Sequence, residues 1–181
     1  ELEKEQRQII DVSKIYSTEA DYDKEIQMSG SIINLPKINK NFSWKQRSLN
    51  LQNNISNLHL QKVDKIFLRK KIGKNKFSFL KNKTSLLIYK ENLIFSDDRG
   101  TIFYVSKKGK VIWKKNIYDK IYKKVHKSLN ISVNNNNIFV SDNIGFVYSI
   151  NPDNQKIIWI KNHAIPIKSN MKIYNNKIFL I

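Results

Sequence analysis

Short runs of apolar and β-branched residues, separated by clusters of asparagine, aspartate, glycine and lysine, dominate the second half of the chain. Such runs are typical of β-strands joined by tight turns. Residues 87–117 and 131–162 carry the same pattern at a spacing of 45 residues, which becomes 46 after one insertion in the second copy. A fixed period of this length indicates a repeat architecture.

Three turns divide each copy into four short strands. In the first copy the turns are expected at residues 90–92, 97–100 and 107–109, and in the second copy at residues 134–137, 142–145 and 151–154. Gly100 and Gly145 close the second turn, at the position most in need of positive φ. A four-stranded antiparallel sheet that repeats every 40 to 50 residues or so is typical of a propeller blade. The sequence therefore predicts an all-β fold, a partial β-propeller.

An aromatic residue ends each copy and follows an isoleucine. Trp113 and Trp159 hold this position in the two full copies, and Phe67 lies 46 residues before Trp113. A large flat ring on an outermost strand can be buried between neighbouring blades. We predict that Phe67, Trp113 and Trp159 are mostly buried and dock successive blades, with cofactor stacking as the alternative.

The repeat lattice also predicts the domain organisation. Residues 1–43 form a leader that is expected to be extended, with a possible short helix at residues 17–25. The partial propeller follows at residues 44–181. Its repeats are expected at about 44–83, 84–126 and 127–166, with the start of another at 167–181. The chain stops inside an apolar run, which suggests a piece of a longer protein.

The formal charge of +18 comes from 29 lysines and 4 arginines against 15 acidic residues. Such a charge fits a nucleic acid or an anionic membrane surface. However, the lysines are dispersed, and base recognition favours arginine forks, so we interpret them mainly as solvated surface. Residues 103–127 interleave aromatic and basic side chains. We expect the aromatics of this stretch to face inward and its lysines to face water; stacking of bases is the alternative.

Little in the sequence predicts chemistry. The absence of cysteine excludes disulfides, thiolate metal sites and a cysteine nucleophile in these residues. No apolar run reaches the length of a membrane span. The three histidines are far apart, and Asp97, Asp98 and Asp142 lie in expected turns, where aspartate is common for local hydrogen bonds. We predict no catalytic, cofactor or metal site here.

The copies resemble the repeats of PQQ-type eight-bladed propellers, since residues 84–181 show the same order of strand, D-x-x-G turn, second strand, Gly-Lys turn and closing tryptophan. Residues 34–60 are similar to the N-terminal segment of BamB-type outer-membrane assembly lipoproteins. The shared features are Leu35-Pro36, Trp44, Gln46, Asn53-Asn54 and His59-Leu60. The chain departs from that pattern at Arg47-Ser48, where the family usually has glycines, so the local turn is expected to differ.

The resemblance implies a non-catalytic periplasmic scaffold with no cofactor. Its implied partner is the β-barrel assembly machinery, and its implied attachment to the outer membrane is a lipidated cysteine that would precede Glu1. Two alternatives stay open. The first is a quinoprotein dehydrogenase related by fold, which would bind quinone and Ca²⁺ through an acidic and amide cluster. The second is a basic nucleic-acid-binding module.

Overall fold

In the computed structural model, the structure is described for residue 30 and for the ranges 34–60, 65–74 and 85–180. The chain divides into two compact units, Glu1–Leu35 and Pro36–Ile181. All features described below belong to the second unit. The helix considered for residues 17–25 lies outside the described residues.

Short antiparallel strands account for the regular structure of residues 85–180. The strands are β1 Leu87–Tyr89, β2 Asn92–Ser96, β3 Thr101–Val105, β4 Val111–Asn116, β5 Leu129–Asn134, β6 Asn137–Asp142, β7 Phe146–Ile150, β8 Ile157–Asn162, β9 Lys172–Tyr174 and β10 Lys177–Phe179. A 3₁₀ helix, Lys120–Lys124, lies between β4 and β5. Among the described residues, no helix is long and apolar enough to cross a membrane.

Consecutive strands pair as simple meanders. The first sheet has the order β1-β2-β3-β4, the second has the order β5-β6-β7-β8, and β9 pairs with β10 in a further hairpin. The two full sheets match in detail, because the register shifts between Tyr104 and Val105 in one and between Ser149 and Ile150 in the other. The predicted all-β fold with four-stranded propeller blades is therefore confirmed.

Two-residue turns join the first two strands of each sheet, and both turn residues have positive φ. The angles are 48° and 61° at Lys90 and Glu91, and 43° and 60° at Asn135 and Asn136. This conformation matches the right-handed twist of the paired strands, and asparagine tolerates it better than most residues. The turns predicted at residues 90–92 and 134–137 are confirmed.

The core lies between the first and second sheets. Strand register places Leu87, Ile94 and Tyr104 on one face of the first sheet, next to Trp113. These side chains join one buried cluster with residues from one face of the second sheet, which are Ile131, Val133, Ile138, Val140, Tyr148 and Ile150. Each sheet therefore depends on the other to bury its apolar face, as is usual in repeat proteins.

The chain that precedes the sheets crosses their first strands. Trp44 and Ile88 exchange two backbone hydrogen bonds, with N···O distances of 2.8 and 3.0 Å. The next residue, Lys45, accepts a hydrogen bond of 2.7 Å from the backbone N–H of Val133 in β5. This segment therefore ties β1 of the first sheet to β5 of the second.

The same segment reaches the third hairpin through the ammonium group of Lys172. Its Nζ donates to the carbonyl oxygen of Asn50 and to Oδ1 of Asn53, each at 2.7 Å, and to the carbonyl of Arg47 at 3.3 Å. Burial lowers the pKa of Lys172. The loop wraps its oxygens around this ammonium and holds residues 44–53 across three successive sheets.

Candidate functional site: the contact between the sheets

The ring of Trp113 fills the contact between the two full sheets. Trp113 lies on β4, the outermost strand of the first sheet, and is 6% exposed. Its Nε1–H donates to the carbonyl of Pro152 at 2.8 Å, and its ring lies 5.5 Å from that of Tyr104. Pro152 belongs to the turn between β7 and β8. The indole therefore connects one sheet to a turn of the next by burial and by a directed hydrogen bond.

A second connection between the sheets is polar and centres on Asp142. Its Oδ1 accepts hydrogen bonds from the backbone N–H groups of Ile144, Gly145 and Phe146 at 2.8–3.0 Å. Its Oδ2 accepts from the hydroxyl of Tyr118 at 2.5 Å. Burial, and then the charge of Asp142, raises the pKa of Tyr118. The buried carboxylate of Asp142 thus stabilises its own turn, and it binds Tyr118 in the segment between β4 and β5.

Lys127 is fully buried beside this carboxylate. Its Nζ donates to the carbonyl of Tyr122 and lies 4.9 Å from the centre of the Tyr118 ring. Burial lowers the pKa of Lys127, while the charges of Asp142 and Asp97 act in the opposite direction. The sequence interpretation that lysines of residues 103–127 face water is wrong for this residue. Carbonyl, ring and carboxylate groups take the place of water around its amino group.

Gly100 and Gly145 both adopt positive φ, at +80° and +113°. Each also lies against a neighbouring group. A Cβ atom at residue 100 would overlap the buried ring of Tyr118, and one at residue 145 would lie 2.8 Å from the carbonyl oxygen of Ile165. Both positions therefore need glycine for backbone conformation and for space.

Trp159 lies on β8 at the position that corresponds to Trp113, but it is 39% exposed, so the predicted burial is not met. Its ring contacts Phe139, with 6.1 Å between centroids, and lines a cavity of about 510 Å³ with Ile165 and Ile178. After β8, the strands within residues 85–180 are β9 and β10, which form one hairpin. They include no counterpart of the turn that covers Trp113.

Phe67 does not occupy the predicted place on an outer strand. It is 84% exposed, and residues 65–74 run along the first sheet without forming a described strand. Only Leu68, Ile72 and Gly73 of this segment are half-buried. The spacing of 46 residues matches the sequence period of the repeats, but docking of a blade also requires Phe67 to lie on a strand of a sheet, and residues 65–74 contain no strand. The prediction of blade docking by Phe67 is wrong.

No group of three or more His, Asp or Glu side chains within the described ranges is close enough together to bind a metal ion. His59 lies beside the isolated bridge between Asn39 and Leu58, while His163 lines the cavity next to Trp159. The structure does not bring these two histidines into one site. Sequence patterns gave no signal for Tyr118 or Lys127, because their contacts depend on the packing of the two sheets.

The fold and this contact define an all-β protein in which successive four-stranded antiparallel sheets pack as propeller blades. No protein-family model and no curated protein sequence matches the chain. Among solved structures, BamB from Moraxella catarrhalis is similar at 20% sequence identity over 50% of this chain, with a TM-score of 0.41. The matched part amounts to 25% of that protein. At this level of similarity, the blade assignment rests on the sheets themselves.

Proposed function

We propose that this protein is a non-catalytic scaffold of the BamB type, which assists the insertion of β-barrel proteins into the outer membrane through protein–protein contacts. The proposal extends to an eight-bladed full protein at the periplasmic face of that membrane, attached by a lipidated cysteine ahead of Glu1. The support is the resemblance of residues 34–60 and of the repeats to that family. The geometry of the blades adds a physical argument.

The observation that supports the proposal most is that aspartates of the blades accept hydrogen bonds from backbone N–H groups of their own turns. Oδ1 of Asp97 accepts hydrogen bonds from the backbone N–H groups of Arg99 and Thr101 at 3.1 and 2.8 Å. Both oxygens of Asp142 are engaged in the same way or with Tyr118. These carboxylate oxygens accept hydrogen bonds within the blades and shape their turns, a common structural role of aspartate, and this supports a scaffold rather than a dehydrogenase.

Crosslinking in the native host tests the proposal. A photoreactive amino acid is placed at Ile112 or Ile158, which are 51% and 52% exposed on the outermost strands of the two sheets. Since outer strands are accessible to partners, we expect at least one position to crosslink to a subunit of the β-barrel assembly machinery. Val140, which is fully buried, is the matched control and should give no crosslink.

An oxidation assay tests the alternative function, a quinoprotein dehydrogenase. The full-length protein, supplied with quinone and calcium, should show no dye-linked oxidation of alcohols or sugars. Saturable quinone-dependent turnover, together with no crosslink from either isoleucine, would contradict the scaffold function and favour the dehydrogenase.

A further inference from the structure

The two ends of each full sheet differ in what lies beside the backbone of the end strand. At the end formed by the first strands, Trp44 and Lys45 make backbone hydrogen bonds to Ile88 of β1 and Val133 of β5. At the other end, β4 and β8 each pair with one strand, and no further strand of the described residues lies beside them. An uncovered edge presents unpaired N–H and C=O groups, to which another extended chain can bind.

The two outermost strands have similar sequences, VIWKKN in β4 and IIWIKN in β8, but the fourth residue differs in kind. It is Lys114 in β4 and Ile160 in β8, and both side chains are exposed. Edge strands of natural proteins commonly carry lysine, because its charge prevents pairing with another strand. The edge of β8 therefore lacks a protecting charge that the edge of β4 has.

The exposure of Ile160 does not depend on a neighbouring blade beyond β8. Ile160 lies opposite Tyr148, so both side chains are on the face that Tyr148 buries against the first sheet. Although the first sheet is in place, Ile160 keeps 53% of its surface in water, and Ile158 keeps 52%. A further blade would pack over the opposite face, which carries Trp159. Ile160 therefore stays at the outer edge in a complete ring.

We propose that the outer edge of β8 binds an extended segment of a partner polypeptide, which joins the sheet as a fifth strand. This inference rests on the scaffold function proposed above and specifies the chemistry of the partner. Main-chain hydrogen bonds would hold the segment, and one of its apolar side chains would cover Ile160.

The charged residues of the two outermost strands indicate which side chains the segment carries. They are all lysines, namely Lys114, Lys115 and Lys161. Opposite charges across an interface favour association, so we expect the segment to alternate apolar side chains with acidic or neutral ones. A nucleic acid would use the lysines but not the backbone edge, so the edge favours a polypeptide.

Titration of the ¹⁵N-labelled full chain with a synthetic peptide tests the inference. The peptide has about ten residues, in which valine alternates with glutamate or threonine. We expect it to shift the backbone amide signals of residues 157–162 and to slow their exchange with solvent. A control peptide with the same side chains is N-methylated at every central residue. It keeps the charge but loses the backbone donors, so it should bind about tenfold more weakly or less.

Ile160→Lys gives β8 the residue that β4 has at the corresponding position. We expect this variant to bind the peptide about tenfold more weakly, although its added charge alone would attract glutamate. Ile112→Lys is the matched control, because Ile112 is 51% exposed on β4 and receives the same charge. It should bind the peptide like the parent chain, and circular dichroism should show both variants folded.

Three results would overturn the inference: equal binding of the two peptides, undiminished binding by Ile160→Lys, or amide shifts confined to residues outside β8. A dimer of the parent chain that Ile160→Lys dissociates would also overturn it, because a second copy would then occupy the edge. The scaffold function is tested separately. A crosslink from Ile112 to the assembly machinery, without any binding of the peptide, would contradict the strand-binding edge alone.

Discussion

Replacement of Trp113 by alanine is expected to lower the free energy of unfolding by about 3–5 kcal/mol, the range for a large buried aromatic. The ring is 6% exposed between the two sheets, and its removal would leave a cavity there. It would also leave the carbonyl of Pro152 without the indole donor at 2.8 Å. Urea unfolding followed by far-ultraviolet circular dichroism measures the loss without relying on tryptophan fluorescence.

Trp159→Ala supplies the comparison for that measurement. Trp159 holds the corresponding position on β8 but keeps 39% of its surface in water. Because much less of its surface would be lost from a packed contact, we expect less than half of the Trp113 effect. If Trp113→Ala unfolds at the same urea concentration as the parent, or if the two variants lose equal stability, the docking role of Trp113 is excluded.

Gly100→Ala is expected to cost about 3 kcal/mol or more. The backbone at Gly100 has a φ of +80°, which strains any residue with a Cβ atom by about 1–2 kcal/mol. The added methyl group would also displace the buried ring of Tyr118, an overpacking cost of about 1–3 kcal/mol. Displacement of the ring would in turn weaken the 2.5 Å hydrogen bond from Tyr118 to Asp142. The same urea experiment measures the loss.

Gly109→Ala separates backbone strain from packing. Gly109 has nearly the same φ, +78°, but a Cβ atom there would lie 3.0 Å from one methyl group of Leu68 and 3.2 Å from the flexible chain of Lys70. Leu68 is half-buried and Lys70 is exposed. Both side chains can shift, so we expect a loss of about 1–2 kcal/mol from strain alone. Equal losses in the two variants would show that Tyr118 does not pack against residue 100.

The hydrophobic pattern was sufficient to predict the blades, because strand and turn signals are local. Alternating apolar residues, Asx-rich turns and a repeated period fix strand order when consecutive strands pair. The positive φ of Asn135, Asn136 and Gly100 also follows from residue type. Each of these features depends on neighbours a few positions away, which a single sequence contains.

The contacts between sheets were predicted less well, because they depend on groups far apart in the chain. Nothing local distinguishes the buried Lys127 from the exposed Lys108. The indole of Trp113 reaches Pro152 across 39 residues, and the ammonium of Lys172 reaches Asn53 across 119. The prediction that Phe67 is buried was wrong for a related reason. The repeat period gives the position of a residue in the sequence, but it does not show whether a sheet packs over that residue.

The environment of the Trp113 indole in solution tests the packing of the two sheets most directly. In a ¹⁵N-labelled sample, the Trp113 indole signal is assigned by its loss in Trp113→Phe. We expect through-space cross-peaks from its N–H proton to protons of Pro152, and exchange with solvent far slower than that of the Trp159 indole. That result would place a turn of the second sheet over the outer strand of the first, as packed blades require. Fast exchange of both indoles, with no cross-peak to Pro152, would contradict the packing of the two sheets as propeller blades.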